Sequence, residues 1–280
     1  MEELIEQMRM DMVVRDYSPK TIKTYLWHLA GFSSYFKHVV SDLDGNDIRK
    51  YLYHLKTEKQ YGTSNLRQAY SAIRYLYRNY FEMPIGLKDL RGPRPSQRLP
   101  VVLTREEIQR IFDATRNEKH RLVLIVTYSG GLRVSEATRL RVEDVDSQRM
   151  QIRVVQGKGR KDRYTLLSEG VLKRLRDYWT RYRPRVWLFP SRTHADKPLC
   201  TTTIQRVFQV SCKRAGIKKA ATMHTLRHSF ATHLLDNGVN LFTIQRLLGH
   251  RYIQSTLIYL HLQQNYTKQI KSPIDELLED

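Results

Sequence analysis

Four stretches, far apart in the chain, hold side chains suited to gripping an anion or attacking one. In "SGGLRVSEATRL", Arg133 follows a glycine pair at the start of a helix, where backbone N–H groups and a guanidinium can converge on one anion. Glu136, three residues on, can orient that guanidinium. In "VVQGKGRKDRYTL", Lys158 stands between Gly157 and Gly159, which let the backbone approach a ligand and a flexible ammonium reach a leaving-group oxygen. In "MHTLRHSFATHLLDNG", His224 and Arg227 share one helical face, while Leu226, Phe230 and Leu234 form a separate apolar stripe. In "LGHRYIQSTLIYLHL", Tyr259 follows His250 by nine residues. A phenol ionises only near pH ~10 and attacks well only where positive charge stabilises its phenolate.

Taken singly, each stretch also has a plainer reading: a capped helix with a surface ion pair, a solvated turn, a polar helix face, a tyrosine packed in a core. His224 and His228 are four apart, as in a metal pair, but no H-E-x-x-H carboxylate or third ligand accompanies them and Arg227 lies between. Neither a metal nor any other cofactor is expected. Taken together, two arginines, a lysine, two histidines and a tyrosine fit displacement at a DNA phosphodiester. Arg133 and Arg227 would neutralise the non-bridging oxygens, a task that elsewhere falls to magnesium. Lys158 would protonate the leaving 5′ oxygen, His224 would take or return the tyrosine proton, and His250 would bond the phosphoryl oxygens or assist the proton traffic. Attack by Tyr259 would leave a covalent phosphotyrosine that retains the energy of the broken bond, so a second DNA hydroxyl could reseal the strand without ATP.

The composition suits such a substrate. Lys and Arg number 48 against 28 Asp and Glu, giving a formal charge of +20 and a sequence pI near 10.0, which calls for a polyanionic partner. No apolar run approaches the ~20 residues of a membrane span, and "MEELIEQMRM" is no signal peptide. A soluble, cytoplasmic, nucleoid-associated protein is expected, with no membrane partner. Cys200 and Cys212 have neither zinc-knuckle spacing nor the density of a disulfide scaffold.

The elements that must position these residues fall into two groups. In "YSPKTIKTYLWHLAGFSSYF", Ser18 caps a helix with Pro19 in its first turn, and apolar residues recur at Ile22, Tyr25, Leu26, Leu29, Phe32 and Phe36. Helices are likewise predicted over 4–14, 45–55 and 64–80, the last carrying Arg67, Arg74 and Arg78 as a phosphate-facing side or a solvated basic face. "MPIGLKDLRGPRPSQRLPVVLT", with four prolines and two glycines, then breaks the periodicity. The expected division is an all-helical domain over 1–87, a basic proline-rich linker over 88–101 and a second domain over 102–280. The second domain opens on a Thr104/Glu107 capping box and a buried helix, "HRLVLIVTY". "MQIRVV" and "DRYTLL" flank "QGKGRK" as a hairpin, and helices resume from Glu169. The expected fold class is mainly α, with a mixed α+β second domain holding a small antiparallel sheet.

With these residues in view, the chain resembles the tyrosine recombinases of the phage-integrase and Xer superfamily over nearly its whole length. The resemblance rests on "GLRVSEATRL", "GKGRKDR", "HTLRHSFATHLL" and "LGH" followed by Tyr259. It implies Arg133, Lys158, His224, Arg227 and His250 around the phosphate, Tyr259 as nucleophile and Glu136 as a supporting acid; Arg67, Arg74 and Arg78, with Arg160 of the hairpin, are the candidate DNA contacts. It also implies an N-terminal, SAM-like core-binding domain with its "YSPKTIKTY" opening, and a C-shaped clamp on double-stranded DNA. A homotetramer joining paired core sites is implied too, with "SPIDELLED" as a tail suited to a neighbouring subunit. "QSTLIYLHL" departs from the many relatives with a second Thr or a Thr-His after the tyrosine, which is expected to alter packing and not chemistry.

Three other readings compete. A helix-turn-helix regulator over "VNLFTIQRLLGHRYIQSTLIYL" would explain the charge but not the separated Arg, Lys and H-x-x-R segments. A two-metal nuclease or transposase would need clustered carboxylates that the sequence lacks. A type IB topoisomerase would share the tyrosine chemistry, but the small helical N-terminal domain favours recombination between sites. Within the family, the compact layout favours a mobile-element integrase or a chromosome-dimer resolvase over phage-type arm-site control.

Overall fold

The computed structural model describes residues 2–36, 40–81, 92–94, 99–155 and 162–262, and the chain divides into two compact units, Met1–Arg98 and Leu99–Asp280. In the first unit the described residues form α1 (Glu2–Val14), α2 (Pro19–Tyr35), α3 (Gly45–Thr57) and α4 (Thr63–Tyr80). Ser18 starts α2 as expected: its Oγ accepts from the Thr21 N–H at 3.1 Å, and Pro19 takes a first-turn position where a missing N–H costs no bond. Asp44 and Asp47 make a capping box at the start of α3. The apolar stripes of α2 and α4 meet, burying Phe32, Ile73, Leu76 and Tyr77, and α1 and α3 add Met8, Met12 and Ile48. Each such side chain contributes about 1.5–3 kcal/mol on leaving water. The Tyr77 hydroxyl stays satisfied by donating to the Val40 carbonyl at 2.6 Å. Arg67, Arg74 and Arg78 lie on the exposed face of α4, with the Arg74 guanidinium 5.7 Å from the centre of the Tyr70 ring.

The second unit runs α5 (Arg105–Ala114), α6 (Glu118–Ser129), α7 (Val134–Thr138), β1 (Val145–Asp146), β2 (Gln151–Val154), β3 (Arg163–Leu166), α8 (Glu169–Tyr182), α9 (Thr201–Arg214), α10 (Met223–Asp236), α11 (Leu241–Leu248) and α12 (Gln254–Leu257). Thr104 and Glu107 form the expected capping box before α5. Leu122, Val123, Leu124 and Val126 of α6 are all buried, and α6 packs against α5, α8, α9 and α10. The strands make one antiparallel sheet, β1-β2-β3, in which Val154 pairs with Arg163 and Ile152 with Thr165. The two-residue β1 was not anticipated; two residues are too few to show an alternation. The hairpin turn over 156–161, with Lys158 and Arg160, lies outside the described residues, as do linker positions 88–91 and 95–98 and the tail "SPIDELLED".

The helices expected to continue from Glu169 are interrupted between α8 and α9. Pro184, Pro190 and Pro198 remove backbone donors there, and the chain runs through bends and a turn with isolated bridges Arg141 to Trp187 and Pro190 to Pro198. No helix among the described residues is long and apolar enough to cross a membrane.

Candidate active site

Gly131 ends the turn after α6 with φ at +59°, and the Phe230 ring of α10 lies against it so closely that any Cβ would collide. That approach brings the turn before α7 onto α10. Arg133 is the N-cap residue of α7; its Nη1 donates to Glu136 Oε1 at 2.6 Å, and its backbone N–H donates to Glu136 Oε2 at 2.8 Å. The spacing of three that suggested the pair thus closes a capping turn, and the Glu136 carboxylate becomes a hub.

Arg163, at the start of β3, grips that hub from the other side. Its Nη1 and Nη2 donate to the two Glu136 oxygens at 3.0 and 2.7 Å, a bidentate pair, and its Nε donates to the Leu247 carbonyl at 2.9 Å. Arg227 of α10, fully buried, donates to the Gly131 carbonyl at 2.9 Å and the Leu248 carbonyl at 2.6 Å, and lies 3.7 Å from Glu136. Burial opposes ionisation of Glu136, but the Arg163 fork and the Arg133 N–H and guanidinium outweigh it and bring the carboxyl down to about 2. Among the described residues, three guanidiniums therefore surround one carboxylate, an excess of two positive charges. Burial first, and the Arg133 charge second, pull the Arg227 guanidinium down to about 9. Its Nε is buried with no hydrogen-bond partner among the described residues.

Leu248 ends α11, and Gly249, at φ +64°, turns the chain out of it. A Cβ on Gly249 would meet Arg163 Cδ at 2.6 Å, so the glycine is required both by conformation and by the passing guanidinium stem. His250 follows; its Nδ1 lies 2.9 Å from the Thr256 hydroxyl, and burial, then Arg227 and Arg133, hold it neutral at about 3. Tyr259 lies after α12 with its ring stacked on His250, centroids 6.4 Å apart and planes at 11°. It is only 1% exposed, and burial raises it to about 12 while Arg227 and Arg133 act in the opposite direction. Its hydroxyl lies 3.0 Å from Nδ1 of His228, the residue after Arg227. His224 stands one turn earlier on α10, open to solvent, its ring edge-on to His228 at 4.5 Å between centroids. Desolvation by the surrounding protein, then the Arg227 and Arg133 charges, lower its pKa.

Arg133, Glu136, His224, Arg227, His250 and Tyr259, read from four separated stretches, thus converge on one site. Lys158 and Arg160 fall outside the described residues, and Arg67, Arg74 and Arg78 belong to the other unit. Three participants escaped the sequence reading. Arg163 lies inside "GKGRKDR", but only strand pairing turns it toward Glu136; His228 carries in the sequence only the spacing of a metal pair with His224, and Thr256 carries no signal. No group of three His, Cys, Asp or Glu residues able to hold a metal occurs among the described residues. The regulator reading also loses ground: α12 has four residues, about one turn, and Thr256 within it turns inward to His250.

Comparison with known proteins agrees with this geometry. The phage integrase family matches residues 101–266, and the phage integrase N-terminal SAM-like domain matches 4–87. A putative integrase/recombinase of Sinorhizobium fredii, y4qK, is 37% identical over 278 residues, covering 99% of this chain and 90% of the relative. A tyrosine recombinase of Thermosipho africanus is 32% identical over 262 residues, covering 89% and 91%. Among solved structures, a lambda integrase tetramer bound to a Holliday junction has the same fold, with a TM-score of 0.72 at 18% identity over 90% of this chain and 77% of that one. With both domains matched, and with the arginines and tyrosine brought to one place, the chain belongs to the phage integrase family and is a tyrosine-type recombinase.

Proposed function

We propose that the protein cuts and rejoins double-stranded DNA at specific paired sites through a 3′-phosphotyrosine on Tyr259, with neither metal nor ATP. The observation that carries this reading is the excess positive charge beside Tyr259: among the described residues, three guanidiniums share one carboxylate, and a buried Arg227 donor has no partner. A phosphodiester brings one negative charge and the attacking phenolate a second, so such a site binds the transition state better than the ground state.

Arg133 and Arg227 neutralise the non-bridging oxygens, and His250, neutral and fixed through Thr256, offers its other ring nitrogen to one of them. As the Tyr259 oxygen bonds to phosphorus, the bond from phosphorus to the 5′ oxygen breaks. Lys158 gives that oxygen its proton, and solvent-open His224 accepts the phenol proton. In the second half a 5′ hydroxyl of the partner strand attacks the phosphotyrosine and the protons return. Arg160, Arg67, Arg74 and Arg78 hold the DNA backbone. By analogy with the lambda integrase tetramer on its Holliday junction, the working form is a homotetramer on two duplexes.

The test is a DNA duplex from the region flanking the gene, nicked so that the cleaved end diffuses away, incubated in EDTA and run on a denaturing gel. Wild type should form a covalent adduct and Tyr259→Phe none. Tight, specific binding with no adduct from wild type would instead support a regulator.

A further inference from the structure

The Tyr259 hydroxyl needs a tether that its own backbone does not supply. It follows a single helical turn, α12, and lies far along the chain from the rigid part of the site. Its ring is buried in one apolar cluster with Phe230, Leu235, Ile244 and Leu248, which sets a depth but not the position of an oxygen. Among the described residues the hydroxyl's hydrogen bond is to His228 Nδ1, at 3.0 Å. His228 in turn is placed well. It sits on α10 between Arg227, locked by two carbonyls, and Ser229, whose Oγ accepts from the Leu103 N–H at 2.9 Å. The helix that aims the phosphate-gripping guanidinium therefore also aims this imidazole.

We infer that His228 is a positioning residue for the recombination step: its neutral imidazole accepts the Tyr259 hydrogen bond and fixes the attacking oxygen relative to Arg227. This rests on the reading of Tyr259 as nucleophile. The surroundings of His228 separate orientation from deprotonation. The groups facing His228 are His224 and Arg227 from its own helix and Tyr259, backed by His250, from the C-terminal segment. Burial, then His224 and Arg227, hold it down at about 4, while Tyr259 is held up at about 12, so before attack the proton stays on oxygen and the bond is one between neutral partners. With Nδ1 accepting, the imidazole proton sits on Nε2.

The experiment compares adduct formation on the nicked duplex by wild type, His228→Ala and His228→Asn, with DNA affinity measured for each. Asn presents an amide oxygen near the place of Nδ1 but takes no proton. Misplacing a reacting atom by about 1 Å costs about 100-fold, so His228→Ala should lose roughly 10- to 100-fold in adduct rate at unchanged affinity, and His228→Asn should recover most of it. An alanine variant as fast as wild type overturns the inference. So does an asparagine variant no better than alanine, since that would make His228 the proton acceptor. If wild type itself forms no adduct, the reading of Tyr259 fails and this inference with it. Independently of any DNA, the ring-nitrogen NMR resonance of His228 Nδ1 should shift in Tyr259→Phe; no shift would show that the bond does not form.

Discussion

Glu136 accepts from Arg163 and Arg133 and lies 3.7 Å from Arg227, so one carboxylate places three cations. Its folded pKa, near 2, is below the ordinary 4.5, so the stability it contributes, ~3 kcal/mol, is present above about pH 4.5 and is lost as pH falls toward 2. Glu136→Gln should therefore melt several degrees lower at pH 7, and in pH-dependent thermal melts the difference from wild type should narrow below about pH 4.5 and close only below about pH 2. A constant difference across that range would show that the carboxylate is not ionised in the fold. Arg133→Ala and Arg227→Ala should each lower cleavage about 100- to 1000-fold with DNA still bound, because the lost interaction acts on transition-state charge; cleavage at the wild-type rate would contradict the assignment. Arg133, Arg227 and Tyr259 were legible in the sequence because their neighbours in the chain mark them. Arg163 and His228 were not, because their partners lie 27 and 31 residues away and only the folded chain brings them together.

At the scale of elements, β3, α7, α10 and α11 meet where Arg163, Glu136, Arg227 and the carbonyls of Gly131, Leu247 and Leu248 interlock. Gly249 is the point at which this assembly tolerates least. Gly249→Ala forces a left-handed residue and a clash with the Arg163 stem together, so it should displace both His250 and Arg163. We expect a loss of ~1–3 kcal/mol in chemical denaturation and a larger proportional loss of cleavage than of DNA binding; equal losses would mean that the turn serves only stability. Helices with one apolar stripe and a capping residue, such as α2 and α5, were readable from spacing and caps alone. The irregular stretch between α8 and α9 and the two-residue β1 were not: the first is held only by isolated bridges, Arg141 to Trp187 and Pro190 to Pro198, and the second is too short to show an alternation.

At the scale of the whole molecule, a formal charge of +20 sets how the protein meets DNA. Each phosphate contact releases counterions, so the affinity should fall steeply with salt, log K dropping by about 0.9 per contact for each unit of log salt. Replacing Arg67, Arg74 and Arg78 together by Ala should reduce that slope by up to about three while leaving any preference among DNA sequences in place; an unchanged slope would make the exposed side of α4 a solvated face. The charge and the broken periodicity around the linker announced a two-part, DNA-binding chain, whereas the identity of the target sites depends on base contacts that composition does not encode.

The central claim is that one tyrosine, buried among arginines, takes the DNA strand onto itself. The most direct measurement is to trap the adduct on the nicked duplex in EDTA, digest protein and DNA, and locate the phosphorylated residue by mass spectrometry. The account predicts a nucleotide joined through its 3′ phosphate to the peptide containing Tyr259. A nucleotide on any other residue, or cleavage that leaves no covalent trace, would contradict it.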